Sequence, residues 1–141
     1  MARLPAVLLI LLALASAGCE PARGPDAQLP ALGGVDGRIE WRGTLPCADC
    51  EGIDTQLVLE RQGEARQYAL VEVYIALDGS MRFEETGAWR LDDALLSLEP
   101  ATGGLRRYAL QRDGTLQARD AAGMAFPGRE GDILQPAAAR P

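Results

Sequence analysis

The sequence predicts an all-β fold, a small antiparallel meander β-barrel of about eight short strands. Three observations carry this expectation. Apolar and polar residues alternate at period two in one segment after another. Turn-forming residues recur roughly every 7–12 positions. No stretch shows the apolar period of an amphipathic helix. A closed or nearly closed barrel is the economical arrangement for so many short strands, because closure leaves no exposed strand edges.

Each element has its own signal. Residues 38–42 alternate strictly and put Ile39 and Trp41 on one face. Residues 55–60 group Thr55, Leu57 and Leu59, and Gln62-Gly63-Glu64 then turns the chain. Residues 68–77 are apolar on both faces, with Tyr68, Leu70 and Tyr74 set against Ala69, Val71, Val73 and Ile75, so a central strand is expected. Asp78-Gly79 is a hairpin signal leading into residues 81–84. Glu85-Thr86-Gly87 is expected to bend the chain into residues 88–91, and Asp92-Asp93 to turn it into residues 95–98. Thr102-Gly103-Gly104 precedes residues 105–110, and Arg112-Asp113-Gly114 precedes residues 115–118. Ile133-Leu134 supplies a short closing strand.

The ends read differently. Arg3 precedes an apolar run over residues 4–15 that is too short to span a bilayer but fits the core of a secretion signal. The run ends in Ser16-Ala17-Gly18-Cys19, which resembles a bacterial lipobox with Ser16 at a position usually held by Leu or Val. On this reading residues 1–18 are a lipoprotein signal peptide and Cys19 is the acylated residue that anchors the chain to a membrane. Ordinary signal cleavage is the rival reading, since Ala13-Leu14-Ala15 and Ala15-Ser16-Ala17 are both A-x-A-like. Glu20 after the cysteine favours the outer membrane under the usual sorting rule, in a cell-envelope lipoprotein facing the periplasm. Residues 19–36, rich in Pro and Gly, read as a flexible tether reaching about 55 Å when extended. The domain is expected over residues 37–135, with a disordered tail at 136–141.

Composition excludes several functions. The formal net charge is −6, and loss of Arg3 with the leader makes it one unit more negative. That sign opposes nucleic-acid binding and attraction to anionic headgroups. Histidine is absent, which removes Ser-His-Asp and Cys-His catalysts and imidazole-based zinc sites. The carboxylate pairs Glu84-Glu85 and Asp92-Asp93 fall beside expected turns and read as solvated acids. No enzyme is expected. Trp41, Trp89, Phe83 and Tyr74 read as core at strand spacing, with lipocalin-type cavity lining as the alternative. Arg106-Arg107 reads as an edge or exterior feature.

The most distinctive segment is Gly43-Thr44-Leu45-Pro46-Cys47-Ala48-Asp49-Cys50-Glu51-Gly52-Ile53-Asp54-Thr55-Gln56-Leu57. With the later spacing of Phe83, Gly87, Trp89, Leu96, Leu98, Tyr108 and Leu116, it resembles the NlpE N-terminal-domain family of envelope lipoproteins over roughly residues 37–125. The resemblance implies a lipocalin-like barrel. It further implies a role in envelope stress, surface sensing or copper tolerance, with other envelope proteins as partners. The sequence ends where two-domain members of that family continue into an OB-fold domain, so a single barrel domain is expected.

Three chemistries compete for Cys47 and Cys50. A structural disulfide is the expected state in an oxidising envelope. It closes so short a loop that its stabilisation falls at the low end of about 0–5 kcal/mol. Direct Cu(I) binding or sequestration through both thiolates is the alternative, with copper the one cofactor the pair suits. Only Met81 and Met124 outside the leader add soft sulfur. A thiol oxidoreductase is the third, but Asp49 and Glu51 raise a neighbouring thiol pKa and strands, not a helix, flank the pair. Leu45, Pro46, Asp49 and Gly52 complete the expected binding loop.

Overall fold

The structure is a computed structural model and describes Leu32 and residues 34–137. Residues 1–18, Cys19 and most of the tether lie outside the described residues. Eight strands form in chain order: β1 (Gly37–Leu45), β2 (Gly52–Gln62), β3 (Ala65–Ala76), β4 (Gly79–Asp92), β5 (Leu95–Pro100), β6 (Arg106–Leu110), β7 (Leu116–Arg119) and β8 (Ile133–Pro136). Each pairs antiparallel with its sequence neighbours, and β8 returns to β1, so the sheet closes into an eight-stranded barrel. The all-β meander barrel read from the sequence is the fold.

The wall is uneven in height. β1 to β4 have 9, 11, 12 and 14 residues, while β5 to β8 have 6, 5, 4 and 4. The tall half carries the β1–β2 loop and the β3–β4 turn at one end, called the loop end below. The chain enters β1 at the opposite end, where Gly37 lies across from Arg61. Below the loop end the interior is filled with side chains. Trp41, Leu57, Leu59, Leu70, Leu96, Leu98, Leu116 and Leu134 are fully buried, and each such side chain contributes about 1.5–3 kcal/mol. Two indoles are tied down inside this core. Trp41 Nε1 donates to Gly114 O at 2.9 Å, and Trp89 Nε1 donates to Glu60 O at 3.0 Å.

Closure depends on close backbone approach at two glycines. A Cβ on Gly43 would lie 2.7 Å from Ile133 O, across the β1–β8 seam. That seam is brief, pairing only Trp41 with Pro136 and Arg42 with Gln135. A Cβ on Gly87 would lie 2.1 Å from Glu99 O, so only glycine lets β4 and β5 meet there.

Three expectations are corrected. The bend at Glu85-Thr86-Gly87 does not interrupt the strand: β4 runs through it and changes partner, pairing with β3 up to Ala88 and with β5 from Gly87. β3 is central, flanked by β2 and β4, but its outer row is not buried as expected: Ala69 is exposed and Val71, Val73 and Ile75 are only half-buried. At the C-terminal end, β8 takes in Pro136, and Ala137 N donates to Glu40 O at 2.7 Å, so ordered pairing runs past residue 135. Residues 138–141 lie outside the described residues.

Candidate functional site

Two features meet at the loop end. The first is the β1–β2 connection. Leu45 is buried at the end of β1 and Gly52 at the start of β2, which fixes both stems. Between them Pro46, Ala48, Asp49 and Glu51 are exposed, and Cys47 and Cys50 are half-buried. Cys47 and Cys50 are joined in a disulfide with their Cα atoms 5.3 Å apart. Cys50 Sγ lies 3.4 Å from Gly52 O, a contact rather than a hydrogen bond, because a disulfide carries no S–H. The loop is docked to its neighbour strand by Glu51 N, which donates to Ile75 O at 2.8 Å. Thr44 Oγ1 donates to Asp54 Oδ1 at 2.7 Å across the stem.

The second feature is a polar cluster inside the barrel mouth. Glu72 on β3, Glu85 on β4 and Arg106 on β6 all point inward above the apolar core. Arg106 Nη1 and Nη2 donate to the two carboxylate oxygens of Glu72, each at 3.2 Å. Arg106 Nε lies 3.1 Å from Glu85 Oε1 and 3.3 Å from Oε2, and Tyr68 Oη donates to Glu85 Oε1 at 2.9 Å. One guanidinium thus serves two carboxylates, leaving the cluster with one excess negative charge. Glu72 is 8% exposed, so Arg106 is what makes its burial tolerable.

The environment shifts the neighbours in consistent directions. Burial alone would lower the Arg106 pKa, but the charges of Glu72 and Glu85 outweigh it and raise it. Burial and then the hydrogen bond to Glu85 push Tyr68 above the ordinary phenol range. Burial pushes Tyr108 up to about 12, opposed by Arg106 and reinforced by Glu72 and Glu85. Both phenols therefore stay neutral at any physiological pH.

Two clefts flank the cluster. One of about 370 Å³ lies between β4 and Thr102 and includes Tyr74, Phe83 and Glu85. The other, of about 410 Å³, runs from Leu45 and Pro46 past Tyr108 to Phe126. Glu72 and Arg106 line both. Tyr74 and Phe83 form an edge-to-face pair with centroids 5.2 Å apart.

The expected site residues separate accordingly. Pro46, Cys47, Asp49 and Cys50 lie in the β1–β2 connection, with Leu45 and Gly52 as its stems, and Cys47 and Cys50 are the disulfide pair. Trp41 and Trp89 are core, but Phe83 is 51% exposed and lines the mouth, contrary to its reading as core. Arg106 points into the barrel, not outward; only Arg107 keeps the exterior position. The parity that Arg106 shares with Tyr108 and Leu110 was the available signal. Glu84 and Glu85 are consecutive strand residues on opposite faces, so they do not form a facing pair of acids.

Copper fits this donor set poorly. A disulfide offers no thiolate, and among the described residues no three His, Cys, Asp or Glu side chains converge. Met81 and Met124 are both well exposed.

The profile of the NlpE N-terminal domain matches residues 41–129, which spans both the loop and the mouth. The chain belongs to the NlpE N-terminal domain family. It is 38% identical over 74 residues to Lipoprotein NlpE of Escherichia coli strain K12, covering 52% of this chain and 30% of that protein. The crystal structure of the Cpx pathway activator NlpE from Escherichia coli superposes with a TM-score of 0.54 at 34% identity, covering 64% of this chain and 45% of that one. The chain thus spans less than half the length of the relatives it matches.

Replacing Arg106 by Met leaves Glu72 charged and unpaired in the barrel. We expect a loss of about 2 kcal/mol near neutral pH, moderated because the Arg106 side chain is 39% exposed. An unpaired buried carboxyl has its folded-state pKa raised above its unfolded value. The variant's stability is then fully present below the unfolded carboxylate pKa and falls as pH rises through the folded one. Urea melts of both proteins across acid to neutral pH check this: the gap between them should close on acidification.

Proposed function

We propose that this chain is a lipid-anchored, non-enzymatic binding or sensing module of the cell envelope. It presents the disulfide-closed loop and the adjoining barrel mouth to another envelope protein. The observation that carries this reading is the placement of the loop: its exposed tip stands at the end of the barrel opposite the entry of the chain into β1. Anchoring through the tether therefore leaves the loop unobstructed. Membership of the NlpE family supports the reading, and the description of the Escherichia coli protein as a Cpx pathway activator points to envelope stress as the signal. The buried ion-paired cluster supports a non-catalytic role, since Arg106 occupies the inward carboxylates that acid–base chemistry would need free.

Anchoring is assigned to Cys19, at the outer membrane facing the periplasm. The full chain carrying Cys19→Ala should fail to label with palmitate and should leave the detergent phase; persistence of either property removes the anchor.

A photocrosslinking residue in place of Asp49 should capture an envelope protein in cells, and the adduct should diminish when Cys47 and Cys50 are both replaced by Ser. The same probe at Glu64, in the turn at the opposite end, should give no such adduct. Equal capture at both positions rules out the loop as the presented surface.

The second reading, copper handling by the same loop, is confined to the reduced protein. Titration of the oxidised protein with Cu(I) against a competing chelator should show no binding. Tight stoichiometric binding to the oxidised form, lost in the Cys47→Ser/Cys50→Ser variant, would overturn that assignment.

A further inference from the structure

We propose that the loop-end half of β4 is a self-pairing edge that joins two copies of this chain through an antiparallel β4–β4 contact. β4 pairs with β5 only from Gly87 onward, so Gly79 to Thr86 have β3 on one side and no strand on the other among the described residues. The direction of the free groups follows from two hydrogen bonds. Thr86 O accepts from Ala101 N on the side away from β3. Backbone groups alternate sides along a strand, so Ser80, Arg82 and Glu84 also turn their N–H and C=O groups to the unpaired side. Ile75, opposite Ser80, directs its carbonyl to Glu51 N and away from β4, which agrees.

Residues 79–86 contain no Pro, and their register with β3 is continuous, without a bulge; the charges they carry, Arg82 and Glu84 outward and Glu85 inward, are of both signs. Leu77, Met81 and Phe83, three of the exposed large apolar side chains, are concentrated on this hairpin at 93%, 63% and 51% exposure.

Charge selects the occupant. The charged side chains on the outer face of this edge are Arg82 and Glu84, which pair with each other at 2.7 Å within one chain. In an antiparallel contact that sets Arg82 opposite Glu84 of the second copy, twofold symmetry also sets Glu84 opposite Arg82 of the second copy. All four carry edge-facing backbone groups, so both are hydrogen-bonded pairs. Phe83 then faces Phe83 of the second copy on the other side of the sheet, in a close non-hydrogen-bonded pair. Sliding one copy by two residues sets Arg82 against Arg82 or Glu84 against Glu84, which like-charge repulsion disfavours. The edge is complementary to itself in one register.

Full-length chain carrying Phe83→Cys, exported in cells, should yield a disulfide-linked homodimer on non-reducing gels, with the link at position 83 by peptide mass spectrometry. Adding Arg82→Glu alone, or Glu84→Arg alone, should reduce the linked fraction by at least about tenfold. Co-expressing those two charge variants should restore it as a heterodimer, because every facing pair is again of opposite sign. Restoration also shows that both variants are folded. No link in the parent, a link indifferent to the charge changes, failure of the co-expressed pair to restore it, or a link to a different protein would each overturn the proposal.

Discussion

Closing strands of unequal length into one barrel is the constraint on which the rest of the structure depends. Four tall strands and four short ones share a continuous ladder only over their lower halves, where the leucines and both tryptophans lie. There the interior is filled with buried side chains. Above it, the upper part of β4 has no strand beyond it, and in the inward rows of β3 and β4 Tyr74 is half-buried and Phe83 exposed. The inward row of β3 passes from Tyr68 and Leu70 through Glu72 to Tyr74, and the change from apolar to ionised residues marks the height at which the short wall ends. The mouth, its clefts and the unpaired edge of β4 all follow from that mismatch.

Arg106 reconciles the two regimes. It sits at the start of β6, level with the top of the short wall, and reaches the carboxylates of two tall strands. A charge network at this height is more stabilising than one on an open surface, because partial burial limits screening, yet the excess negative charge prevents it from being self-contained. The neutral phenols of Tyr68 and Tyr108 complete it from below.

Most of the barrel was legible because period-two alternation reports which face a side chain takes. Ile39 and Trp41, and Leu57 and Leu59, were placed on shared faces on that basis, and the turns at Gly63, Asp78 and Gly114 on their local chemistry. Alternation says nothing of height along the barrel. Phe83 has the parity of a core residue and the exposure of a rim residue, because the short wall does not reach it. Gly87 reads as punctuation, although its role is to admit the carbonyl of Glu99. Arg106 was misplaced because a charged pair suggests an exterior, when the parity shared with Tyr108 placed it inside. The turn between β1 and β2 and its disulfide were legible, since their constraint is local and their residues are contiguous.

The hydrogen bond from Trp41 to Gly114 joins residues 73 positions apart, and β1 is sealed only by residues 135 and 136. Such distant pairings are kinetically late, because loop closure precedes the contacts that reward it. A chain emerging N-terminus first therefore exposes β1 as an open edge until residues 135 and 136 are free. The disulfide obeys no such delay. Its cysteines are three positions apart and can meet before any strand has paired. Formation of that bond therefore need not wait for the barrel to close.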